Sequence, residues 1–336
     1  MKLRSLAKKL LWFTRAPLAR WKYLWVSPVR QAADGMHQSS RLSGKGCFDF
    51  GPGLVLGRRS RLHAEGDGRL ALASGVWIGD DCELSTEETI CIGAHTSLQN
   101  RSTILGHVTV GAGCVCAPNL YVSSHWHHFE DDAPLPIRWQ DTRAHAGQAP
   151  QARSRPVQID EDCWIGINVV IAPGVHIGRG CVVGANSVVT RDLPPYSVAA
   201  GAPARVIRQR LAFSPPRALH ASQSEHLPYF YGGFGMWQPE VTGLSAALQQ
   251  GGWPAGPNFT IALQINAGAR LSLRVYSTGC GELRHGPVAV AVTPGLSCLS
   301  FSAQPTADGL LAFAWSGEAA ADTARLAVIA AEPDTE

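Results

Sequence analysis

The chain has 336 residues, which at about 150 residues per domain suggests two domains. Charged residues make up 16% of the chain and the net charge is +3, so a disordered chain is excluded and nucleic-acid binding has no support. Nine scattered cysteines without zinc-type pairs predict reduced cytosolic thiols and no metal site. No apolar stretch approaches the roughly 20 residues that cross a bilayer.

The N-terminal segment, residues 1–33, is basic and contains no acidic residue. Within it Leu3, Leu6 and Leu10 recur at helical spacing, which predicts an amphipathic helical segment within residues 1–45. Two interpretations stay open. The segment lies on the inner membrane face, or it packs on its own protein or on a partner subunit.

An aliphatic residue returns at every sixth position in the middle of the chain. The clearest run is Ile159, Ile165, Ile171, Ile177, Val183 and Val189, and an earlier run is Ile92, Leu98, Ile104, Val110, Cys116 and Val122. A helix has a period of 3.6 and a flat strand a period of 2, so this spacing indicates a short strand and a turn, repeated. Three such repeats form one triangular coil of a parallel β-helix, with the aliphatic residues inside.

Small residues lie four positions after the aliphatic ones and are expected to fill the narrow interior. Four cysteines occupy such positions and are predicted to be inert core residues: Cys82, Cys114, Cys163 and Cys181. Most of the repeat is therefore scaffold, and function is expected where the repeat is interrupted.

One long interruption, residues 123–156, divides the predicted solenoid of residues 46–210. It opens with the residues His125, Trp126, His127, His128, Glu130, Asp131 and Asp132. A loop of this length inside a compact solenoid is usually functional or disordered. The cluster of histidines and acids at its start favours a functional loop.

The segment from Val157 to Arg208 resembles the C-terminal half of hexapeptide-repeat acetyltransferases, through the motifs WIG, GANSVVT, DLPPYSV and RVIR. The preceding APNLYVSSHWHHFED is similar to the CoA-dependent sugar O-acetyltransferase branch, which includes the maltose and galactoside enzymes and those of surface polysaccharides. The resemblance covers roughly Leu56–Arg210. It implies an all-β fold built on a left-handed parallel β-helix, a homotrimer with active sites between subunits, and acetyl-CoA as donor.

Carried onto this sequence, the resemblance places the catalytic histidine at His125, which would take the proton of an attacking sugar hydroxyl. His127 and His128 remain alternatives. The group that orients the base is one of Asp131, Asp132, Glu130 or a backbone carbonyl. Backbone N–H groups near Trp164–Asn168 are expected to stabilise the oxyanion.

The resemblance also assigns the two substrate sites. The expected donor contacts are Trp164, Ala185, Thr190, Arg191, Arg205 and Arg208, the two last arginines near the adenosine 3′-phosphate. The expected acceptor contacts are Asn100, Trp126, His128 and Asp131. Trp139 in the loop is a further candidate for stacking on a sugar ring.

The C-terminal part begins with a Pro- and Gly-containing linker over residues 211–235. Short alternating runs then follow at 259–265, 271–277, 287–292, 298–302, 310–315 and 325–330. Regular short strands of this kind predict an antiparallel β-sandwich domain over residues 236–336, which either binds an acceptor glycan or packs against the trimer.

The sequence therefore predicts a cytoplasmic acetyltransferase, peripheral to the inner membrane if residues 1–33 bind there, that acts on a sugar or a cell-surface polysaccharide precursor. A small non-sugar acceptor, such as an antibiotic or an amino acid, stays open. A zinc protein like the γ-carbonic anhydrases would use His107, His125 and His128, whose spacing fits poorly. The third alternative is a non-catalytic scaffold.

Overall fold

A computed structural model of the protein describes residues 35–130, 132–145, 154–234, 253–306, 309–317 and 326–333. The chain divides into two compact units, with the boundary between Ala212 and Phe213. The predicted N-terminal helix and its membrane contact lie outside the described residues. Within the described ranges, no helix has the length and apolar character needed to cross a membrane.

Over its described residues, the first unit is a parallel β-solenoid with one short helix. Its elements in chain order are β1 (Gly35–Met36), β2 (Arg41–Ser43), β3 (Cys47–Phe50), β4 (Val55–Leu56), β5 (Arg61–Ala64), β6 (Arg69–Leu72), β7 (Trp77–Ile78), β8 (Glu83–Thr86), β9 (Thr89–Ile92), β10 (Ser97–Leu98), β11 (Thr103–Leu105), β12 (Val108–Val110), β13 (Val115–Cys116), β14 (Tyr121–Ser123), α1 (Ile137–His145), β15 (Val157–Ile159), β16 (Trp164–Ile165), β17 (Val170–Ile171), β18 (His176–Ile177), β19 (Val182–Val183), β20 (Val188–Val189), β21 (Ser197–Gly201) and β22 (Ala204–Gln209).

These strands form three sheets that run along the solenoid. The first sheet has the order β1-β4-β7-β10-β13-β16-β19-β21-β22, the second β2-β5-β8-β11-β14-β17-β20, and the third β18-β15-β12-β9-β6-β3. Every strand pairs in parallel with the strand one coil away, except that β22 returns antiparallel to β21. The predicted β-solenoid of hexapeptide repeats is confirmed.

The aliphatic residues at every sixth position are inside the solenoid. Leu98, Ile104 and Ile165 are fully buried, and the small inward residues Cys163 and Cys181 are buried with them. Burial raises the pKa of the Cys181 thiol to about 11. These thiols are neutral near pH 7 and act as small apolar side chains, as predicted.

The solenoid begins earlier than the predicted residue 46. Met36, Leu42 and Phe48 already follow the six-residue spacing, and β1 and β2 pair in register with β4 and β5. The three residues pack on the solenoid core, Leu42 and Phe48 as buried members and Met36 partly buried. Residues from Gly35 onward therefore belong to the solenoid.

Two corners of the solenoid matter for the site. The first corner is the set of turns that join the first sheet to the second. Six of its seven turns, all except the one between β1 and β2, place one residue in the left-handed region: Arg59, Asp81, Arg101, Asn119, Asn168 and Asn186. The second corner joins the second sheet to the third, and one of its turns is replaced by the long loop between Ser123 and Val157.

The second unit is an antiparallel sheet. Its strands are β23 (Leu219–His220), β24 (Gly232–Phe234), β25 (Trp253–Ala262), β26 (Arg270–Ser277), β27 (Gly281–His285), β28 (Val288–Val292), β29 (Gly295–Ser302), β30 (Leu310–Gly317) and β31 (Leu326–Pro333), with a 3-10 helix at Ser224–Tyr229. The main order is β28-β27-β30-β25-β31-β26-β29, while β23 pairs with β31 and β24 with β25. All six predicted strands are present.

The predicted sandwich describes this unit only loosely, because the nine strands in its described ranges join one hydrogen-bonded network. The sheet nevertheless curls over, since Phe301 on the edge strand β29 contacts Phe313 on β30, with ring centroids 5.6 Å apart. Phe230 and Phe234, within the predicted linker of residues 211–235, are buried in the same core. The described residues of that segment from Phe213 onward are therefore part of the second unit.

Candidate active site

The long loop leaves and rejoins the solenoid at adjacent points of the second corner. His125 forms an isolated antiparallel bridge with Ser154, and the Ser154 hydroxyl lies 3.1 Å from that of Ser124. The Ser124 hydroxyl also accepts a hydrogen bond from the His107 backbone N–H at 2.8 Å. These bonds fasten both ends of the loop to the coil below, so the loop mouth is a rigid place for a reactive side chain.

A buried carboxylate, Glu88, lies next to His125. The Glu88 Oε1 atom is 3.2 Å from His125 Nε2, and the Glu88 side chain is only 3% exposed while that of His125 is 45% exposed. The second oxygen of Glu88 lies 3.5 Å from Nδ1 of His107. One buried carboxylate thus faces two imidazoles.

This contact selects one tautomer of His125. A carboxylate accepts hydrogen bonds, so Nε2 carries the proton and Nδ1 keeps the lone pair of a base. The ring packs on Gly106, whose φ is +82°, and a Cβ atom there would lie 2.7 Å from Cε1 of His125. Glycine at this position leaves room for the ring.

The other two histidines of the cluster have a different partner, Asp141 on α1. His127 Nδ1 lies 2.7 Å from one oxygen of Asp141, and the His128 backbone N–H donates to the other at 2.8 Å. The His127 side chain is 82% exposed. These contacts hold the helix against the loop mouth. His125, by contrast, contacts Glu88, a residue of the solenoid itself.

An aromatic–cation pair lies beside His125. The guanidinium of Arg155 is 4.2 Å from the centroid of the Trp126 ring, and the ring of His128 lies 5.7 Å from that of Trp126. Trp126 and His128, both predicted acceptor contacts, are therefore together at the loop mouth. Trp139 is 60% exposed on α1.

The structure places Glu88, which was not among the carboxylates proposed from the sequence, beside the candidate base. Asp132 binds Arg143 at 3.1 Å, Glu130 is exposed, and Asp131 lies outside the described residues. The sequence feature that could have identified Glu88 is its spacing from the two histidines, because each coil of the solenoid has about 18 residues. His107 precedes His125 by 18 residues and Glu88 precedes His107 by 19, so the three stack on successive coils at one corner.

The predicted donor residues divide between the corners. Thr190 and Arg191 follow β20 and His125 follows β14, two strands away in the second sheet, about 10 Å at the usual strand spacing. Ala185 lies at the first corner, and Arg205 and Arg208 lie exposed on β22 beside the first sheet.

Trp164 and Asn100 also belong to the first-sheet side. Trp164 is 57% exposed on β16 of the first sheet. Asn100 is a turn residue of the first corner, where its side-chain oxygen accepts the Asp80 backbone N–H at 2.9 Å. Within one chain, the structure does not bring these residues to the corner that holds His125.

The N–H groups proposed for the oxyanion are largely engaged by the solenoid. The backbone N–H groups of Trp164, Gly166 and Asn168 donate to carbonyls of Cys181, Val183 and Pro118 at 2.9, 2.8 and 3.1 Å. Using them for an oxyanion would break these bonds between coils.

The three histidines of the zinc alternative are not gathered around one point. His107 and His125 face Glu88, while the His128 ring lies beside Trp126 on the loop. Across the described ranges, no group of three or more His, Cys, Asp or Glu side chains is placed to hold a metal ion.

Comparison with known proteins gives a consistent picture. Residues 156–191 match the family model described as bacterial transferase hexapeptide (six repeats). The chain is 35% identical over 140 residues to galactoside O-acetyltransferase of Escherichia coli (strain K12), covering 41% of this chain and 63% of the relative. It thus spans less than two thirds of that enzyme's length.

A second relative is matched over more of its length. The chain is 30% identical over 167 residues to the protein named "Putative lipopolysaccharide biosynthesis O-acetyl transferase WbbJ" of Escherichia coli (strain K12), covering 49% of this chain and 72% of the relative. Among solved structures, the hexapeptide-repeat acetyltransferase VCA0836 of Vibrio cholerae complexed with acetyl coenzyme A matches at 30% identity and a TM-score of 0.32. That match covers 48% of this chain and 72% of the other.

Proposed function

Because the chain belongs to the hexapeptide-repeat acetyltransferases, we propose that it transfers the acetyl group of acetyl-CoA to a hydroxyl of a sugar or of a cell-surface polysaccharide precursor in the cytoplasm. The observation that carries the proposal is the contact of His125 with the buried Glu88 at the loop mouth. The names of the two relatives, one a galactoside enzyme and one linked to lipopolysaccharide biosynthesis, support the acceptor class.

In the proposed reaction, Nδ1 of His125 takes the proton of the acceptor hydroxyl as its oxygen attacks the thioester carbonyl. The bond from carbon to sulfur then breaks, and the CoA sulfur leaves with a proton returned by the imidazolium. Glu88 holds the ring and balances its positive charge while the proton is on it. The buried position of the carboxylate makes this support stronger than an exposed acid would.

We further propose a left-handed solenoid and a homotrimer, as in the family. The division of residues between corners supports a site shared between subunits. His125 lies at the second corner, while Asn100, Ala185 and the exposed face of Trp164 lie toward the first. Packing two chains side by side would bring one chain's second corner to the other's first-sheet side.

The decisive experiment compares His125→Ala with His128→Ala in an assay of acetyl transfer from acetyl-CoA to saccharides. Loss of a positioned base lowers turnover by roughly 10²–10⁴-fold, so His125→Ala is expected to lose that much and to keep its affinity for acetyl-CoA in calorimetry. His128→Ala is expected to lose far less. A larger loss in His128→Ala would refute the assignment of the base.

The donor site is tested separately with Arg205→Ala and Arg208→Ala. If these arginines bind the 3′-phosphate, each variant binds acetyl-CoA more weakly by roughly tenfold, because a charge-assisted hydrogen bond is lost. Unchanged donor affinity in both variants would show that CoA binds elsewhere. Sedimentation of the wild-type protein tests the trimer, which a fully active monomer would contradict.

A further inference from the structure

The loop mouth carries a cation whose charge no described acid balances. Arg155 forms no ion pair with any residue in the described parts of the chain, although the neighbouring Asp residues do have partners. Asp132 binds Arg143 at 3.1 Å and Asp141 binds His127 at 2.7 Å. An arginine next to a candidate base, with no acidic partner among the described residues, is placed to attract an anion from outside the protein.

The backbone of Arg155 is fixed on both sides. Its N–H donates to the Ser124 carbonyl at 2.8 Å, and its carbonyl accepts from the Gly174 N–H at 3.0 Å. Its stem passes over Gly174, where a Cβ atom would lie 3.3 Å from the Arg155 Cβ. Since Ser124 directly precedes His125, these bonds tie the position of the arginine to that of the base.

The guanidinium lies over an aromatic ring and has no hydrogen-bond acceptor among the described residues. The centroid of the Trp126 ring is 4.2 Å from the guanidinium carbon, within the range of a cation–π contact. The in-plane N–H donors of an arginine can form bidentate bonds to a carboxylate or a phosphate.

We propose that Arg155 selects an anionic acceptor, a sugar bearing a carboxylate or a phosphate, and positions it for attack at His125. This inference rests on the proposed function. The CoA phosphates do not compete for the same role, because the long pantetheine arm separates them from the thioester that must reach His125. Arg155, by contrast, directly follows Ser154, the bridge partner of His125. Trp126 is a positioning residue for Arg155.

The test measures kcat/KM for three matched acceptors: a methyl galactoside, the corresponding methyl galacturonide, and galactose 1-phosphate. For the wild-type enzyme we expect at least one anionic acceptor to exceed the neutral galactoside by about tenfold or more. The two anionic arms show whether the carboxylate or the phosphate is the natural group. High salt is expected to reduce the preference, because the anion and Arg155 meet at an exposed site.

Arg155→Ala is expected to lower the ratio of anionic to neutral kcat/KM by about 10- to 100-fold, the range for loss of a charge-assisted bidentate contact. Arg155→Lys keeps the positive charge but lacks the planar guanidinium, so its ratio is expected to lie between those of the wild-type enzyme and Arg155→Ala. The matched control is Arg143→Ala, a loop arginine paired with Asp132, which is expected to keep the wild-type ratio. Trp126→Ala lowers the ratio and Trp126→Phe restores part of it.

The outcomes separate the two proposals. If the wild-type enzyme acetylates the neutral galactoside as well as both anions, or if Arg155→Ala leaves the ratio unchanged, the inference about Arg155 is wrong and the proposed function stands. If none of the three sugars is acetylated, the proposed function fails and the inference fails with it. Because the readout is a ratio, a general loss of folded enzyme does not imitate the expected effect.

Discussion

The two corners of the solenoid use their polar residues in opposite ways. At the first corner, Asn119 donates to Asn168 at 2.7 Å, and Asn168 donates to Asn186 at 2.9 Å. Arg59 and Asp81 are paired in the same column. The polar groups of this corner thus bind one another from coil to coil.

At the second corner the long loop replaces one of the repeating turns, and polar side chains of neighbouring coils meet at the start of this loop. Glu88 faces two imidazoles, and Arg155 has an aromatic partner and no described acid. The comparison teaches that a repeat can satisfy its polar groups internally wherever every coil is alike. The candidate base becomes available where one coil departs from the others.

The largest difference between the corners is expected in catalysis, on replacing the carboxylate beside the base. Glu88→Gln is expected to lower kcat by roughly 100-fold, because the amide neither balances the imidazolium nor fixes the tautomer as a carboxylate does. The KM for acetyl-CoA should change little. Steady-state kinetics over pH check this, since a merely structural role would not alter the pH profile.

The matched control is Glu83→Gln, a partly exposed acid of the same coil that pairs with Arg61 at 2.7 Å. An exposed ion pair contributes about 0–1 kcal/mol, so this variant should keep its activity and nearly all its stability. Equal losses in the two variants would show that Glu88 acts only through the fold.

The second prediction concerns the glycine beneath the base. Gly106→Ala puts a Cβ 2.1 Å from the Ser124 hydroxyl in a residue with φ +82°, and is expected to cost about 3 kcal/mol of unfolding free energy and most of the activity. The control is Gly66→Ala, at φ +59° with no atom within 4 Å, where only the backbone strain of about 1 kcal/mol remains. Urea unfolding of both variants measures the difference. Similar losses of unfolding free energy in the two variants would mean that the close approach of Gly106 to Ser124 and His125 does not matter for stability.

The third prediction concerns the interior of the solenoid, where a buried thiol is expected to make the stability depend on pH. The pKa of the Cys181 thiol is its ordinary value of 9.0 in the unfolded chain and about 11 in the folded protein. Between these values the unfolded state binds fewer protons, so the free energy of unfolding falls as pH rises, by about 2–3 kcal/mol. Denaturant unfolding between pH 8 and pH 11 should show this loss, and Cys181→Ala should show a shallower one. Identical slopes would contradict it.

The smallest effect is expected at the first corner. Asn168→Ala removes two side-chain hydrogen bonds and puts alanine in the left-handed region, so it should cost about 1–2 kcal/mol of stability. Turnover measured well below the melting temperature should stay at the wild-type value. A specific loss of turnover in the folded variant would show that the Asn168 side chain itself takes part in catalysis, beside the substrate contacts proposed for its neighbours on this side.

Much of the fold could be predicted because the repeat that builds the solenoid is only six residues long and is visible within short stretches of sequence. Each hexapeptide needs one aliphatic residue inside, so Ile165 and Ile171 reveal their burial by spacing alone. The start of the solenoid was less visible, because few hexads precede Phe48. In the second unit, alternation predicted strands such as β26 but not their order, which depends on pairing between distant segments.

The sequence by itself determined that this protein is a solenoid interrupted by one histidine-bearing loop, since spacing and composition are properties of the chain. Only the tertiary structure decided which groups meet at the loop. Glu88 lies 37 residues before His125, and Arg155 lies 30 residues after it. No local pattern joins them. The stacking of coils, whose strands lie about 4.8 Å apart, brings such distant residues to one corner.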